Sequence, residues 1–389
     1  MLKVQTLNKI SPKGLNLLTH DKYEVASEFS SPDAIVLRSF KMHDMELPTS
    51  LKAIARAGAG TNNIPIDKCS DRGIVVFNTP GANANAVKEL VIAGMLISSR
   101  NLINGVNWLQ SIADKGDEVP SLVEKGKAQF AGREIKGKTI GIIGLGAIGA
   151  MVANDALALG MNVIGYDPYI SVDAAWELSS KVKKATGLET LLKEVDFITI
   201  HVPLLPSTKE MFNAEKFAMM KDGVSIMNFA RGGLVDNKAI KEAIKSGKVS
   251  AYVTDFPDAD LLGVDGVIPI PHLGASTTES EDNCALMACA QVKDFLETGN
   301  IQNSVNFPNC SLQVKEGCNR VIIANKNIPN MISTITSLLA ENSINIVDML
   351  NKSKGDLAYN IIITEKKVSE EIKEKLESVN GIILVRVIK

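Results

Sequence analysis

The chain has 389 residues, of which 45% are hydrophobic and 22% are charged, and its formal net charge is −2. This length allows two or three domains, and the balanced charge argues against a nucleic-acid partner, which would require a basic surface. No apolar run approaches the roughly 18 residues of a membrane-spanning helix, and the first residues lack the apolar stretch of a signal peptide. The five cysteines include no C-x-x-C pair, so we expect no metal site. These features predict a cytoplasmic protein without a membrane partner.

The first 95 residues alternate short apolar strands with helical segments, which is typical of an α/β domain. The predicted strands lie in KVQTLNKI, DAIVLRSF, LKAIARAG and IVVFNTP. Small and turn residues follow two of these runs, in RAGAGTNN and NTPGANANA, and indicate strand ends where open α/β sheets bind ligands. Helical spacing then predicts one long helix from residue 84 to about 104, followed by an amphipathic stretch.

Strands and helices alternate again in residues 138–283. The predicted strands lie in TIGIIG, NVIGYD, FITIHVP, VSIMNFA, YVTDF and VIPIPH. A long helix over 279–298 follows, and residues 300–319 are polar and irregular, which favours a linker. From residue 320 the order is β-α-β-β-α-β, which predicts a small ferredoxin-like unit.

The segment GIIGLGAIG follows the strand TIGII and leads into a helix. Gly144 permits a tight turn, Gly146 lets the backbone approach a pyrophosphate, and Gly149 permits close helix packing. A second strand ends at Asp167, which would accept hydrogen bonds from a ribose 2′-hydroxyl and repel a 2′-phosphate. This pattern predicts a dinucleotide site that takes NAD rather than NADP.

Three later strand ends carry polar residues: Arg231, the acids of TDFPDAD, and His272. Hydride transfer between a 2-hydroxy acid and NAD needs a base for the hydroxyl proton, an acid that orients this base, and a cation for the substrate carboxylate. Histidine, a carboxylate and arginine suit these roles. We interpret His201 as a packed strand-end residue, with contact to the nicotinamide as the alternative.

The chain resembles the D-isomer-specific 2-hydroxyacid dehydrogenases in RAGAGTNNIP, NTPGANANAVKE, GKTIGIIGLGAIG, HVPLLPST, NFARGGLVD and PHLGAST. The resemblance implies a substrate-binding domain from residues 1–95 and 284–309, with an NAD-binding Rossmann domain, residues 96–283, inserted into it. The C-terminal residues 318–389 resemble an ACT domain. The expected α/β fold therefore combines two doubly wound parallel sheets, of Rossmann-like or flavodoxin-like type, with a ferredoxin-like regulatory domain.

The same resemblance implies a catalytic triad of Arg231, Asp260 and His272. The family usually has glutamate as the acid, and Asp260 stands at the position that matches the motif. Asp258 is the less favoured alternative. Because aspartate is one methylene shorter, the backbone would have to bring it closer to the histidine.

The resemblance also implies contacts to the cofactor and to the substrate. The cofactor contacts are Gly144, Gly146, Ala147, Ile148, Gly149, Asp167, Ala230, Arg231, Asp255, His272, Gly274 and Ala275. The substrate contacts are Arg38, Ser39, Lys41, Ala57, Gly58, Ala59 and Gly60. Two cations, Arg38 and Lys41, at a strand end are what a phosphate group on the substrate would require. We therefore expect a phosphorylated 2-hydroxy acid as substrate.

The ACT resemblance suggests L-serine as an effector at Asn325, Asn327 and Asn345. Responsive relatives often have histidine at position 325 and glycine at position 330, where this chain has Asn330. Asparagine tolerates the left-handed conformation, so this turn is expected to survive. A homodimer through the nucleotide domain, or a tetramer, is also implied. The alternatives are a related activity on an unphosphorylated 2-hydroxy acid of the hydroxypyruvate or glycerate type and a non-catalytic NAD-sensing regulator.

Overall fold

The structure, a computed structural model, describes residues 1–388. The strands are β1 (Leu2–Thr6), β2 (Tyr23–Ala26), β3 (Ala34–Leu37), β4 (Ala53–Arg56), β5 (Val75–Phe77), β6 (Thr139–Ile143), β7 (Asn162–Tyr166), β8 (Lys183–Lys184), β9 (Phe197–Ile200), β10 (Val224–Asn228), β11 (Val249–Thr254), β12 (Val267–Pro269), β13 (Asn319–Lys326), β14 (Ile346–Lys354), β15 (Leu357–Thr364) and β16 (Ile382–Ile388). The helices are α1 (Pro12–Leu15), α2 (Ile66–Asp71), α3 (Ala84–Arg100), α4 (Leu102–Ser111), α5 (Val119–Gly126), α6 (Ala147–Ala158), α7 (Val172–Glu177), α8 (Leu188–Glu194), α9 (Ala214–Met219), α10 (Asn237–Lys245), α11 (Thr278–Thr298), α12 (Met331–Glu341) and α13 (Glu370–Glu377). Within residues 1–388, no helix combines the length and apolar character that a membrane span requires.

The elements form two compact units. Unit 1 comprises residues 1–83 and 278–388, and unit 2 comprises residues 84–277. Unit 1 contains a five-stranded parallel sheet and a four-stranded antiparallel sheet, whereas unit 2 contains a seven-stranded parallel sheet. The predicted α/β fold class is confirmed.

The five-stranded sheet of unit 1 has the strand order β2-β1-β3-β4-β5. Its order reverses between β1 and β3, so the loops after these two strands diverge and leave a crevice at the sheet edge. Helix α11 packs on one face of this sheet through Ala288 and Val292, which are fully buried with Val4 and Val36. The crevice after β1 and β3 is thus the expected ligand position of this sheet.

The four-stranded sheet has the order β14-β15-β13-β16 and is antiparallel throughout. Helices α12 and α13 cover one of its faces, where Leu339 and Leu376 pack against Val321 and Ile323. This arrangement confirms the ferredoxin-like unit that the β-α-β-β-α-β order predicts.

The other face of the antiparallel sheet packs on the rest of unit 1. Tyr359 lies in the same core as Phe77 and Phe295, and its hydroxyl donates to the Gly299 carbonyl oxygen at 2.7 Å. Arg386 on β16 stacks 4.6 Å from the centre of the Phe295 ring and donates to backbone carbonyls at the end of α11. The bond to Leu296 satisfies an acceptor that the last turn of the helix leaves without a backbone donor, whereas the Phe295 carbonyl oxygen also accepts from the Gly299 N–H. The antiparallel sheet is therefore an integral part of the core of unit 1.

The seven-stranded sheet of unit 2 has the order β12-β11-β10-β9-β6-β7-β8. Helices α3 and α6 cover the face that carries Ile142, and helices α8, α9 and α10 cover the face that carries Ile143. The strand order reverses between β6 and β9, which places a crevice at the carboxyl ends of these two strands. The six strands predicted between residues 138 and 283 all belong to this sheet.

The predicted helix from residue 84 to about 104 is confirmed up to Arg100, where it ends earlier than expected. Helix α3 ends at Arg100, Asn101 has a φ of +49°, and α4 begins at Leu102. The Ser99 carbonyl oxygen accepts a hydrogen bond from the backbone N–H of Arg133 at 2.9 Å. This long-range bond replaces the continuation of the helical ladder, and asparagine is one of the few residues that adopt the left-handed conformation readily.

The prediction of a linker over residues 300–319 is wrong for its first half. Phe307 and Cys310 are buried in the core of unit 1. The Asn306 side chain accepts from the Val76 N–H and donates to the Ile74 carbonyl oxygen, both at 2.9 Å. This amide thereby satisfies backbone groups along the edge strand β5, which explains why a polar segment is packed here.

We expect Arg386→Met to lower the free energy of unfolding of unit 1 by about 2 kcal/mol, because the carbonyl oxygens of Phe295 and Leu296 would lose a charged donor. Urea titration followed by far-UV circular dichroism measures this change. Lys375→Met, which breaks an exposed ion pair on α13, is the control and should change it by less than about 0.5 kcal/mol. Equal effects of the two substitutions would contradict a stabilising role for Arg386.

Candidate active site

The Gly-rich turn joins β6 to α6 at the switch point of the seven-stranded sheet. Gly144 has a φ of +88°, and a Cβ on it would lie 2.6 Å from the His201 carbonyl oxygen. A Cβ on Gly149 would overlap the Gly144 carbonyl oxygen. Both positions therefore require glycine, one for its backbone conformation and contact with the end of β9, the other for close packing of α6.

The N-terminus of α6 opens onto free space. Gly146 is the N-cap residue, and a Cβ on it would meet no atom within 4 Å. Since Gly146 has no side chain, the first N–H groups of this twelve-residue helix receive no side-chain cap. Unsatisfied N–H groups and the positive end of the helix dipole make this turn suitable for an anionic phosphate.

Asp167, at the end of β7, holds the Gly-rich turn in place. One carboxylate oxygen accepts from the Leu145 N–H and the other from the Tyr169 N–H, each at 2.8 Å. A carboxylate oxygen accepts two hydrogen bonds, so each oxygen retains an acceptor position. Asp167 can thus fix the turn and still accept a bond from a ribose hydroxyl.

Asp255 follows β11 and is buried, with 1% of its surface exposed. Its Oδ2 accepts from the Gly274 N–H at 3.0 Å, whereas Oδ1 has no hydrogen-bond donor within residues 1–388. Burial raises the pKa of this carboxyl, and the Gly274 N–H and the charge of His272 oppose the rise. A buried acceptor without a donor is unfavourable, so Oδ1 is suited to a donor from a ligand, such as a carboxamide N–H.

His201 follows β9 and adjoins the Gly-rich turn. Its Nε2 lies 2.9 Å from the Thr199 hydroxyl, and its Nδ1 is buried without a partner among the described residues. Burial lowers the pKa of this imidazole to about 3, so it is neutral near pH 7. This environment agrees with a packed strand-end residue, and contact with a nicotinamide remains a prediction.

Arg231 and His272 approach the same aromatic side chain, Phe256. The His272 ring centre lies 4.5 Å from the Phe256 ring centre, and the Arg231 guanidinium lies 6.0 Å from it. Arg231 and His272 are both exposed, so their polar atoms can reach a ligand. Phe256 was not among the predicted site residues. The sequence signal that could have indicated it is its position shortly after β11, between Asp255 and the two candidate acids.

The two candidate acids lie in the loop after β11. The Asp258 carboxylate accepts from the Asn237 amide at 2.5 Å and from the Asp260 N–H at 3.1 Å. The Asp260 side chain is 73% exposed and lies 3.8 Å from the Lys241 ammonium group. Neither carboxylate is hydrogen-bonded to His272 within the described part of the chain. Asp258 is therefore held by the start of α10 and by its own loop, while Asp260 is free to change its rotamer.

Arg38 lies in unit 1, directly after β3 at the switch point of the five-stranded sheet. The Asn8 side-chain oxygen, after β1, accepts from the N–H groups of Arg38, Ser39 and Phe40 at 2.9, 3.0 and 3.0 Å. The Arg38 guanidinium contacts the Glu281 carboxylate at 2.5 Å. Lys41 is exposed a few residues further on. Asn8, which sequence reasoning missed, fixes the backbone from which these predicted substrate contacts project.

The loop from Ala57 to Gly60 follows β4, next to Arg38. Arg56 donates from its guanidinium to the carbonyl oxygens of Arg38 and Gly60. The Asn78 amide donates to the Ala59 carbonyl oxygen at 2.6 Å, and the Gly58 carbonyl oxygen accepts from the Thr79 N–H at 3.1 Å. The N–H groups of Ala57 and Gly58 also donate, to the carbonyl oxygens of Leu37 and Arg56, so in the described part of the chain the N–H groups of Ala59 and Gly60 are the ones available to a ligand. Arg56 was also missed, because an arginine inside an apolar strand gives no sign of its partners.

Of the candidate effector residues, Asn325 lies on β13, Asn327 directly follows this strand, and Asn345 directly precedes β14. Asn325 is buried; its oxygen accepts from the Asn360 amide, and its own amide donates to the Lys326 carbonyl oxygen, both at 2.7 Å. Asn327 and Asn345 are exposed. Asn330, at the start of α12, has a φ of +69°, which confirms the expected left-handed turn.

Comparison with known proteins places these features in one family. Residues 92–274 match the NAD-binding domain of the D-isomer-specific 2-hydroxyacid dehydrogenases. The chain is similar to a D-3-phosphoglycerate dehydrogenase of Methanocaldococcus jannaschii, with 36% identity over 350 residues, or 86% of this chain and 64% of that protein. It is also similar to a hydroxypyruvate reductase of Thermotoga maritima, with 41% identity over 273 residues, or 67% of this chain and 84% of that protein.

A solved structure shows the same relationship. The NAD⁺-bound 3-phosphoglycerate dehydrogenase of Entamoeba histolytica superposes with a TM-score of 0.62 and 27% identity, over 78% of this chain and 98% of that one. The chain spans less than two thirds of the Methanocaldococcus relative but most of the Thermotoga relative. From these similarities and the site described above, the chain belongs to the family of D-isomer-specific 2-hydroxyacid dehydrogenases and contains their NAD-binding domain.

Proposed function

We propose that the protein is an NAD-dependent D-3-phosphoglycerate dehydrogenase, which oxidises D-3-phosphoglycerate to 3-phosphohydroxypyruvate in the first step of L-serine biosynthesis. The observation that carries this proposal is the approach of an exposed arginine and an exposed histidine, Arg231 and His272, to Phe256. The Methanocaldococcus relative supports the substrate, because its similarity extends over 86% of the chain.

The residues of unit 2 fit NAD. The free N–H groups of α6 would bind its pyrophosphate, Asp167 its adenine ribose, and the unpaired Asp255 oxygen its carboxamide. The backbone and side chains at Ala147, Ile148, Ala230, Gly274 and Ala275 would complete the contacts. When bound there, the nicotinamide would supply the acceptor for the C2 hydride of the substrate.

The side chains of this chain would perform the remaining chemistry. His272 would accept the C2 hydroxyl proton at an imidazole nitrogen as the carbonyl forms. Arg231 would hold the substrate carboxylate through paired, charge-assisted hydrogen bonds. Asp260 would turn towards His272, orient the ring and stabilise its protonated form, with Asp258 as the alternative.

Arg38 and Lys41 would bind the phosphate group. Arg38 projects from a backbone that Asn8 and Arg56 hold, so its guanidinium is well positioned for an anion. The loop from Ala57 to Gly60, together with Ser39, would supply neutral donors. Unphosphorylated acids such as hydroxypyruvate lack the second anionic group that would use these two cations.

A second candidate is a dehydrogenase for an unphosphorylated acid such as hydroxypyruvate or glycerate. The ion pair between Arg38 and Glu281 favours it, because this pair already neutralises one of the two proposed phosphate-binding cations. The name of the Thermotoga relative agrees with this alternative. The two candidate functions use the same triad and the same cofactor. They differ only in whether the substrate carries a phosphate group.

Initial rates of NADH oxidation with 3-phosphohydroxypyruvate and with hydroxypyruvate distinguish the two candidates. We expect a strong preference for the phosphorylated acid. Arg38→Ala should raise KM for this acid by about 10-fold or more, and should leave KM for hydroxypyruvate nearly unchanged. Lys22→Ala, which removes a cation of unit 1 that pairs with Glu297, is the control and should not change KM for either acid. Equal preference for both acids in the unchanged protein would favour the second candidate.

The acid of the triad can be assigned with Asp260→Asn and Asp258→Asn. We expect Asp260→Asn to lower kcat by about 100-fold or more, because His272 would lose the group that orients it. Asp265→Asn, an exposed acid in the same loop, is the control and should retain full activity. A larger loss of kcat in Asp258→Asn than in Asp260→Asn would assign the role to Asp258.

We propose that the ferredoxin-like unit is an ACT domain that responds to L-serine. Its strand order and the left-handed Asn330 support this proposal. The exposed Asn327 and Asn345 would contact the ligand, whereas the buried Asn325 would first have to release its internal bonds.

Saturating L-serine is expected to lower the rate of 3-phosphohydroxypyruvate reduction, whereas D-serine at the same concentration should not. Asn345→Ala should weaken the response to L-serine without changing the rate in its absence, because this exposed side chain lies outside the proposed active site. An unchanged rate with saturating L-serine would exclude this form of regulation.

We also propose a homodimer through unit 2, or a tetramer built from such dimers. Helix α4 supports the proposal because large apolar side chains on it are exposed in the single chain. These side chains are Leu102, Ile103, Val106 and Leu109. Surface of this kind is typical of protein–protein contacts.

A further inference from the structure

The first turn of α11 presents two acidic side chains to cations of unit 1. Glu281 contacts the guanidinium of Arg38 at 2.5 Å. The next residue, Asp282, contacts Lys13 at 2.7 Å and accepts from the Ser11 hydroxyl at 2.5 Å. Asp282 therefore joins α11 to the start of α1. Glu281, in contrast, pairs with Arg38, the residue proposed to bind the substrate phosphate.

The Arg38–Glu281 pair differs from the other contacts of Arg38. The backbone of Arg38 is held by Asn8, Arg56 and Asn63, so Glu281 is not needed to fix where the side chain starts. Both partners of the ion pair are partly exposed, 37% for Arg38 and 47% for Glu281, and an incoming anion can therefore reach them. Exposed ion pairs of this kind contribute little to stability, which allows Arg38 to exchange one anion for another.

We infer that Glu281 is a specificity-determining residue, which occupies Arg38 when the site is empty and opposes the binding of a phosphorylated substrate. This inference rests on the proposed role of Arg38 as a phosphate ligand. A phosphate dianion at Arg38 either displaces the Glu281 carboxylate, which costs the ion pair, or lies beside it, which brings like charges close together. An unphosphorylated substrate leaves the pair intact. Glu281 thereby lowers the advantage that Arg38 gives to phosphorylated acids.

The test compares KM for 3-phosphohydroxypyruvate and for hydroxypyruvate in Glu281→Gln and in the unchanged protein. Glutamine keeps the size of the side chain and removes its charge. We expect KM for the phosphorylated acid to fall by about 10-fold, since a dianion would no longer face a carboxylate at close range. KM for hydroxypyruvate and kcat for both acids should stay within about twofold, because neither involves the ion pair.

Inorganic phosphate provides a second readout that does not depend on turnover of a phosphorylated substrate. Its dissociation constant, measured by isothermal titration calorimetry in the presence of NADH, should be several-fold lower for Glu281→Gln than for the unchanged protein. Glu279→Gln, in the same turn of α11, is the matched control and should alter neither phosphate binding nor KM. A higher KM for the phosphorylated acid in Glu281→Gln would overturn the inference, because it would show that Glu281 positions Arg38 for the substrate.

Arg38→Ala separates a failure of this inference from a failure of the proposed function. If Arg38→Ala raises KM for the phosphorylated acid but Glu281→Gln leaves it unchanged, only the inference is overturned. If Arg38→Ala leaves it unchanged, Arg38 does not bind the phosphate and the inference fails, whereas the proposed function is decided by the preference of the unchanged protein for the phosphorylated acid. In the double variant, Glu281→Gln should have no effect beyond that of Arg38→Ala, because its action requires the guanidinium.

Discussion

Parallel pairing of strands is the constraint on which the rest of the structure depends. Parallel strands end at the same edge of a sheet, so residues far apart in sequence meet there without any direct attraction between them. In unit 2 this edge collects the Gly-rich turn after β6, His201 after β9, Arg231 after β10 and His272 after β12. In unit 1 it brings Asn8 next to Arg38, and one amide oxygen then organises three backbone N–H groups.

Burial divides the polar groups at this edge into two kinds. Asp255 and His201 are held in apolar surroundings, which raises the pKa of the carboxyl and lowers that of the imidazole. Each keeps one polar atom without a partner among the described residues, and such atoms favour a ligand that supplies the missing hydrogen bond. Arg231 and His272 are exposed and can exchange partners. The buried pair thus suits binding, and the exposed pair suits chemistry.

Helix α11 connects the two sheets of unit 1 at its opposite ends. Its first turn carries Glu281, which pairs with Arg38, and its last turn is bound by Arg386 from the antiparallel sheet. Because the face of the antiparallel sheet opposite its helices is buried against α11 and β5, the sheet is not a loosely attached module. A ligand that altered the packing of this sheet would act on the same helix that presents Glu281 to Arg38.

Much of this fold could be predicted from the sequence, because apolar periodicity and glycine spacing are local properties. The strands of unit 2, the β-α-β-β-α-β order and the requirement for glycine at positions 144 and 149 all follow from such patterns. The two-residue β8 is too short to give a pattern, β2 contains the charged Glu24 and no continuous apolar run, and the helix break at Asn101 depends on a hydrogen bond from Arg133.

Tertiary structure alone decided which side chains meet. Segment 301–310 is polar, yet its Asn306 completes the edge of β5, and no local pattern indicates this. Phe256, Asn8 and Glu281 likewise acquire their significance only from neighbours that the folded chain brings to them. The sequence by itself determined most of the elements, the family and the kinds of residue that chemistry needs. Their partners were decided by long-range packing, because the charge and hydrogen-bond environment of a side chain depends on residues that are distant in sequence.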